Sequence, residues 1–218
     1  MSRAAVKPSS SVAEGREAID LDCLRSLAAL GLPDRPRSRL VVGAEGARLA
    51  QLVDEVIGAS PGQIVTVDRR GARDPDFGQE HNLIVTCGVL GGGTVSDAAR
   101  WVAGMAAALS PSGRLAAAIE TFATATSDGR ADVVLFPDLG ALGLLGADIE
   151  DRTPLTPAAW LALLSSARLS VRAMAGYGEE PLGAEVLERH AARLAPFDPR
   201  EIATGRLLVV ADKPGAPA

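Results

Sequence analysis

Residues 39–58 read RLVVGAEGARLAQLVDEVIG, and this stretch decides the fold. It opens with a short apolar run that ends at Gly43, a pattern typical of a buried strand followed by a tight turn. Apolar residues then recur at helical spacing up to Gly58, and these are Leu49, Leu52, Val53, Val56 and Ile57. The stretch therefore predicts a strand, a turn and an amphipathic helix.

Further strands are indicated by short apolar or β-branched runs along the rest of the chain. Two of these runs, at 63–67 and 82–87, are typical of interior strands. The turn residues SPSG at 110–113 introduce another predicted strand at 114–120, and two more runs lie at 169–174 and 206–211.

Helices are predicted between these strands by apolar residues at helical spacing. An amphipathic lead-in helix covers 18–32, and later helices cover about 95–109, with Ser96 as N-cap, 156–167, with Thr156 as N-cap, and 185–194. This alternation favours an α/β fold with a doubly wound, mostly parallel sheet that is covered on both faces.

Length and composition indicate one domain over residues 16–212, with short tails at 1–15 and 213–218. The 218 residues carry a net charge of −5 without a Lys/Arg cluster longer than a dipeptide, so we expect no nucleic-acid partner. No apolar run has the length or purity of a membrane span. The two cysteines do not form a disulfide framework, which favours the cytoplasm.

Five segments carry a resemblance to a known family. They are LVVGAEG (40–46), VTVD (65–68), HNLIVTCGVLGGG (81–93), LSPSGRLAAAIE (109–120) and the stretch 136–169. In these segments the chain resembles class I S-adenosylmethionine (SAM)-dependent methyltransferases, especially small-molecule O-methyltransferases of bacterial secondary metabolism. The resemblance implies a Rossmann-like fold and SAM as the cofactor.

The resemblance also implies which residues bind SAM. The glycine-rich first loop contributes Gly43, Glu45 and Gly46, and Cys87 and Gly88 follow at the end of a later strand. Asp68 occupies the place of the acid that binds the ribose hydroxyls, where a carboxylate can accept two charge-assisted hydrogen bonds. We expect the Gly43 backbone to lie beside Asp68. No metal site is predicted.

The sequence departs from the family pattern in three places. Glu45 stands where a glycine would let the backbone approach the cofactor. Residues 69–81 are rich in Pro, Gly and charge and are too few for a helix and a strand, so we expect a loop and a sheet of six strands instead of seven. Gly91–Gly93 fill the region where these O-methyltransferases often place a catalytic His.

The remaining candidates for a catalytic acid or base are Glu120, His81 and Asp138. Glu120 ends a predicted strand, whereas His81 begins one. His190 lies among charged residues of an amphipathic pattern and is expected at the solvated surface. Trp101 and Trp160 have core-facing spacing and are expected to pack.

Three functions stay open from the sequence. The first is a SAM-dependent methyltransferase that acts on a small molecule. The second is a degenerate methyltransferase-like protein that does not bind SAM and serves as a structural or partner-binding module, for example as a homodimer or with another protein. The third is a dinucleotide-binding protein, because Gly43, Gly46 and Asp68 do not distinguish the two cofactors.

Overall fold

The computed structural model describes residues 21–33, 35–66, 76–90, 94–126, 131–136, 143–149 and 154–214. Its helices are α1 Leu21–Ala29, α2 Gly46–Ile57, α3 Val95–Ala108, α4 Phe122–Thr126, α5 Pro157–Ser166, α6 Ala184–Arg189, α7 Ala191–Leu194 and α8 Pro199–Ala203. Its strands are β1 Arg39–Gly43, β2 Gly62–Thr66, β3 His81–Cys87, β4 Leu109–Glu120, β5 Asp132–Phe136, β6 Leu144–Asp148, β7 Ser170–Glu179 and β8 Thr204–Asp212.

Six strands form the central sheet in the order β2-β1-β3-β4-β8-β7. The neighbours from β2 to β4 pair in parallel, whereas β8 pairs antiparallel with both β4 and β7. This arrangement confirms the predicted α/β class and the mainly parallel sheet of six strands. In the predicted loop 69–81, residues 76–80 form no strand, His81 already begins β3, and residues 69–75 lie outside the described residues.

The edge position of β2 corrects one expectation. The run 63–67 is typical of an interior strand, but within the described residues β2 pairs only with β1. Its side chains are mostly exposed, and Ile64 is 48% exposed. A β-branched run predicts extended backbone well, but it does not predict whether a second neighbour covers the strand.

The two faces of the sheet bury separate apolar clusters, as period-two strands require. On one face, α3 and α5 pack over alternate strand residues, and Trp101 and Trp160 contribute to this cluster as predicted. On the other face, α1 and α2 cover the intervening residues. Trp160 is 0% exposed. Both predicted layers of helices are therefore present.

A third apolar cluster lies in a small cap at the carboxyl edge of the sheet, which is the side where the parallel strands end. Strands β4 and β7 end at this edge, and β8 begins there. The cap consists of α4, the antiparallel β5–β6 hairpin and the three helices α6 to α8. Phe122, which follows β4, is fully buried in this cluster with Val133 and Val186. The hairpin was not among the predicted elements, since its two short strands are stabilised by packing in the cap.

The predicted helix at 185–194 is broken at His190, which corrects a second expectation. His190 has φ −117 and ψ 17, so it leaves the helical conformation between α6 and α7. Its side chain is buried rather than solvated, because the break turns the imidazole toward the hairpin residue Asp132.

Two local details also differ from the sequence pattern. The N-cap of α3 is Thr94 and not Ser96: Thr94 accepts a hydrogen bond from the Asp97 backbone N–H, and Asp97 accepts one from the Thr94 backbone in return. The predicted turn at 110–113 is an irregular insertion within β4, where Ser112 has φ 62. Thr156 caps α5 as expected.

No helix among the described residues is long and apolar enough to cross a membrane.

Candidate functional site

The carboxyl edge of the parallel strands brings three of the predicted cofactor-binding residues together. In the sheet register Gly43 lies between Thr66 of β2 and Cys87 of β3. Gly88 follows with φ 68, and its N–H donates to the Ala118 carbonyl at 3.3 Å. Ligands of doubly wound sheets bind at this edge. Asp68 comes two residues after Thr66, but it lies outside the described residues, as does Asp138.

The N-terminus of α2 also lies at this edge, directly after β1. Its N-cap, Glu45, is exposed and makes no side-chain capping hydrogen bond. The Glu45 carboxylate instead pairs with Arg48 at 3.1 Å. Backbone N–H groups in the first turn of a helix lack intrahelical partners and attract anionic oxygens. The edge therefore offers amide donors for an anionic ligand group.

Packing within the chain explains the glycine at position 46 better than the glycine at position 43. A Cβ atom at Gly46 would lie 2.8 Å from Ile64 Cγ2 and 2.8 Å from Thr66 Oγ1. A Cβ atom at Gly43 would lie 3.0 Å from a methyl group of Leu49. Residues of β2 already occupy the space beside Gly46, so Gly46 is not evidence of a cofactor cradle, whereas the contact at Gly43 is with the end of a flexible side chain that can move.

A row of polar residues crosses the same edge on three neighbouring strands. Arg206 of β8 lies opposite Glu120 of β4 on one side and opposite Tyr177 of β7 on the other. Directly opposed residues of antiparallel strands point to the same face, and Tyr177 packs on the α1–α2 face. Glu120 is therefore accompanied by a guanidinium and a phenol.

Sequence reasoning missed Arg206 and Tyr177 as site residues. The antiparallel order of β7 and β8 would have indicated both residues, because it places the start of β8 beside the end of β7. The prediction of a mostly parallel sheet gave no reason to place 206 next to 120. The local sequence indicates a site residue at 206 only in that a polar residue directly precedes the apolar run LLVVA at 207–211.

Cys87 contributes its backbone to the carboxyl edge and its side chain to the packing of the core, and its thiol is not reactive. It is 2% exposed, and burial raises the pKa of its thiol far above the usual range. The proximity of Cys23 raises the pKa further, while the Ala118 backbone and the charge of Arg206 lower it by less. The thiol is therefore protonated at neutral pH and is a poor nucleophile.

His81 lies at the opposite edge of the sheet from Glu120. It begins β3, whose seven residues span about 20 Å. The imidazole is buried, and its Nε2 atom lies 2.9 Å from the Phe77 carbonyl oxygen. The structure thus places Glu120 at the carboxyl edge and does not bring His81 to it.

Comparisons with known proteins identify the fold. No protein-family model matches the sequence, and no curated protein matches it. Solved structures do match, among them a SAM-dependent methyltransferase from Mesorhizobium loti, with a TM-score of 0.52 and 14% identity over 88% of this chain and 100% of that one.

Two further matches are N-methyltransferases. The 1,6-didemethyltoxoflavin-N1-methyltransferase of Burkholderia thailandensis, solved with 1,6-didemethyltoxoflavin and S-adenosylhomocysteine, has a TM-score of 0.52 and 16% identity, over 94% of this chain and 84% of that one. NodS from Bradyrhizobium japonicum has a TM-score of 0.51 and 14% identity, over 89% of this chain and 97% of that one. The chain therefore has the Rossmann-like fold of class I SAM-dependent methyltransferases.

Proposed function

We propose that the protein is a SAM-dependent methyltransferase that acts on a small molecule in the cytoplasm. The observation that carries this proposal is the arrangement of the carboxyl edge, where Gly43, Cys87, Gly88 and the N-terminus of α2 adjoin the end of β4 with its polar row. The fold shared with SAM-dependent methyltransferases supports it, although fold alone does not determine function.

The described residues fit a cofactor that carries a carboxylate. The first-turn N–H groups of α2 would bind the carboxylate of the methionine portion, and Gly88 would let the backbone approach beside them. Asp68 would hold the ribose hydroxyls. When bound, SAM supplies an electrophilic methyl group on a sulfonium.

Glu120 and its neighbours would act on the acceptor molecule. Proximity and orientation account for much of the rate in such a reaction, so the first role of the site is to hold the acceptor atom in line. Where the acceptor must lose a proton, the Glu120 carboxylate would receive it. Arg206 would orient that carboxylate, because their side chains leave the same face of adjacent strands.

A specific observation favours a second candidate, a degenerate methyltransferase-like module without SAM binding. Gly46 is explained by packing against β2, and the exposed Glu45 side chain stands where the family has a glycine. A loop with a side chain at position 45 and a glycine at 46 that serves packing is expected if selection for cofactor binding has been lost. Such a module would act as a homodimer or with a protein partner. Dinucleotide binding is less well supported.

Calorimetric titration with SAM and with S-adenosylhomocysteine separates these candidates without knowledge of the acceptor. A methyltransferase should bind both compounds with dissociation constants below about 1 mM. A parallel titration with NAD tests the dinucleotide alternative. Absence of heat and of any thermal shift with SAM and S-adenosylhomocysteine would overturn the enzyme proposal and favour the degenerate module.

A further inference from the structure

A pocket of about 360 Å³ opens between β5 and the α6–α7 pair, within the cap. We refer to it as the α6–α7 pocket, and its lining consists of Asp132, Arg189, His190, Ala192 and Arg193. None of these residues belongs to the carboxyl-edge site. A ligand bound here would therefore contact other residues than those of the proposed methyl transfer.

His190 gives this pocket a buried nitrogen that has no hydrogen-bond partner among the described residues. Its side chain is only 9% exposed, and the Nε2 atom makes no hydrogen bond with any described residue. The Asp132 Oδ1 atom lies 3.7 Å from Nε2, which is beyond hydrogen-bond distance. A buried polar nitrogen without a hydrogen bond costs free energy. Because the Nε2 atom has almost no accessible surface, a ligand oxygen would satisfy it only if the neighbouring Asp132 side chain moves aside.

Two arginines line the pocket together with His190. Arg193 donates from Nη1 to the Val133 carbonyl at 2.6 Å, and Arg189 pairs with Glu185 one turn earlier on α6. The Arg193 contact joins α7 to β5, whereas the Arg189–Glu185 pair lies on the exposed surface of α6. Because a guanidinium has five N–H donors, these contacts leave donors for a ligand.

The donor set suits a phosphate group better than a carboxylate. Three donor side chains on one short segment can serve three oxygens of a tetrahedral anion. Among the described residues, acidic groups that would oppose an anion are Asp132 in the lining, Asp148 opposite Asp132 in the hairpin, and Glu185 behind Arg189. The Asp132 side chain is 74% exposed, so it can turn toward solvent.

We propose that the α6–α7 pocket binds the phosphate group of a small phosphorylated molecule through Arg189, His190 and Arg193. The test is calorimetric titration of the full chain with phenyl phosphate and with inorganic phosphate, at ionic strength held constant with NaCl. Arg189→Met and His190→Asn should each weaken binding about tenfold. Arg25→Met, which removes an exposed arginine of α1 that also pairs with acidic residues, should leave binding unchanged.

Asp132→Asn distinguishes a ligand site from a merely structural His–Asp pair. The proposal expects this variant to bind phenyl phosphate about threefold or more tightly, because a repelling carboxylate is gone. Unchanged affinity together with a lower melting temperature would instead identify a structural pair and overturn the proposal. Thermal unfolding of each variant verifies that it is folded.

The other possible titration results also either support the proposed phosphate site or overturn it. Tighter binding of phenyl phosphate than of inorganic phosphate supports a phosphomonoester ligand, and the reverse order supports free phosphate in the same site. Wild-type protein that shows no heat at about 10 mM phenyl phosphate would overturn the proposal. Equal binding of benzoate, or an equal loss in Arg25→Met, would overturn it as well, since either result means general attraction of anions.

Discussion

Arg206 lies directly opposite Glu120 in the antiparallel pairing of β4 with β8, so the two side chains leave the same face of the sheet at its carboxyl edge. This relationship joins the end of one strand to the beginning of another that is 86 positions later in the chain. It places a cation beside the acid that we propose to act on the acceptor.

The Glu120–Arg206 pairing should be measurable as a coupling free energy. Opposite charges at directly opposed positions contribute roughly 0.2–1 kcal/mol, so Glu120→Gln and Arg206→Met should not be additive in denaturant unfolding. The exposed Asp22–Arg25 pair of α1 is a matched control and should couple by less than about 0.5 kcal/mol. Additive effects at 120 and 206 would remove the basis for a positioning role of Arg206.

Thr94, and not Ser96, should determine the stability of the N-terminus of α3. Thr94→Ala removes the side-chain oxygen that accepts the Asp97 backbone N–H, and such losses cost about 0.5–2 kcal/mol. Ser96 is exposed and lies inside the helix, so Ser96→Ala should change the free energy of unfolding by less than about 0.5 kcal/mol. Urea unfolding of both variants compares them directly, and equal effects would contradict the assignment.

The same cap should give a pH dependence through Asp97. Hydrogen bonds from the Thr94 backbone N–H and then from its hydroxyl lower the pKa of Asp97, and Arg100 lowers it further. A carboxyl group whose pKa is lower in the folded state stabilises the protein above its unfolded pKa, and this contribution is lost as pH falls through the folded value. Asp97→Asn should therefore destabilise the protein at pH 7, and the difference should shrink below about pH 4. Unfolding curves between these pH values provide the measurement, and a constant difference would show that the Asp97 charge contributes nothing.

Gly46→Ala should destabilise the fold because of β2 rather than because of a lost ligand. The new Cβ atom would lie 2.8 Å from both Ile64 Cγ2 and Thr66 Oγ1, so α2 or β2 must shift, and overpacking of this kind costs about 1–3 kcal/mol. Restoring space with Ile64→Ala and Thr66→Ala should recover part of that loss. If the triple variant is no more stable than the sum of its parts, close packing is not the reason for glycine at 46.

How far the sequence predicts this molecule depends on which contacts decide each feature. The strand and helix at 39–58 follow from local spacing, and the structure confirms their bounds, because both elements have a buried face that enforces the pattern. The β5–β6 hairpin and the burial of His190 could not be predicted in this way, because both depend on packing in the cap. The Glu120–Arg206 relationship depends on the antiparallel insertion of β8, which no local pattern encodes.

The last prediction concerns the cofactor: Asp68→Ala should weaken SAM binding far more than Glu120→Ala. A carboxylate that holds the ribose hydroxyls makes charge-assisted hydrogen bonds, and losing them costs about 1.5–3 kcal/mol, or roughly tenfold to a hundredfold in affinity. Glu120 ends β4 beside Arg206 and would face the acceptor, so its loss should change the dissociation constant of S-adenosylhomocysteine by less than about threefold. Calorimetric titration of both variants against the wild-type protein gives the comparison. Equal weakening by the two substitutions would mean that SAM lies across the end of β4, and the acceptor would then have to bind elsewhere.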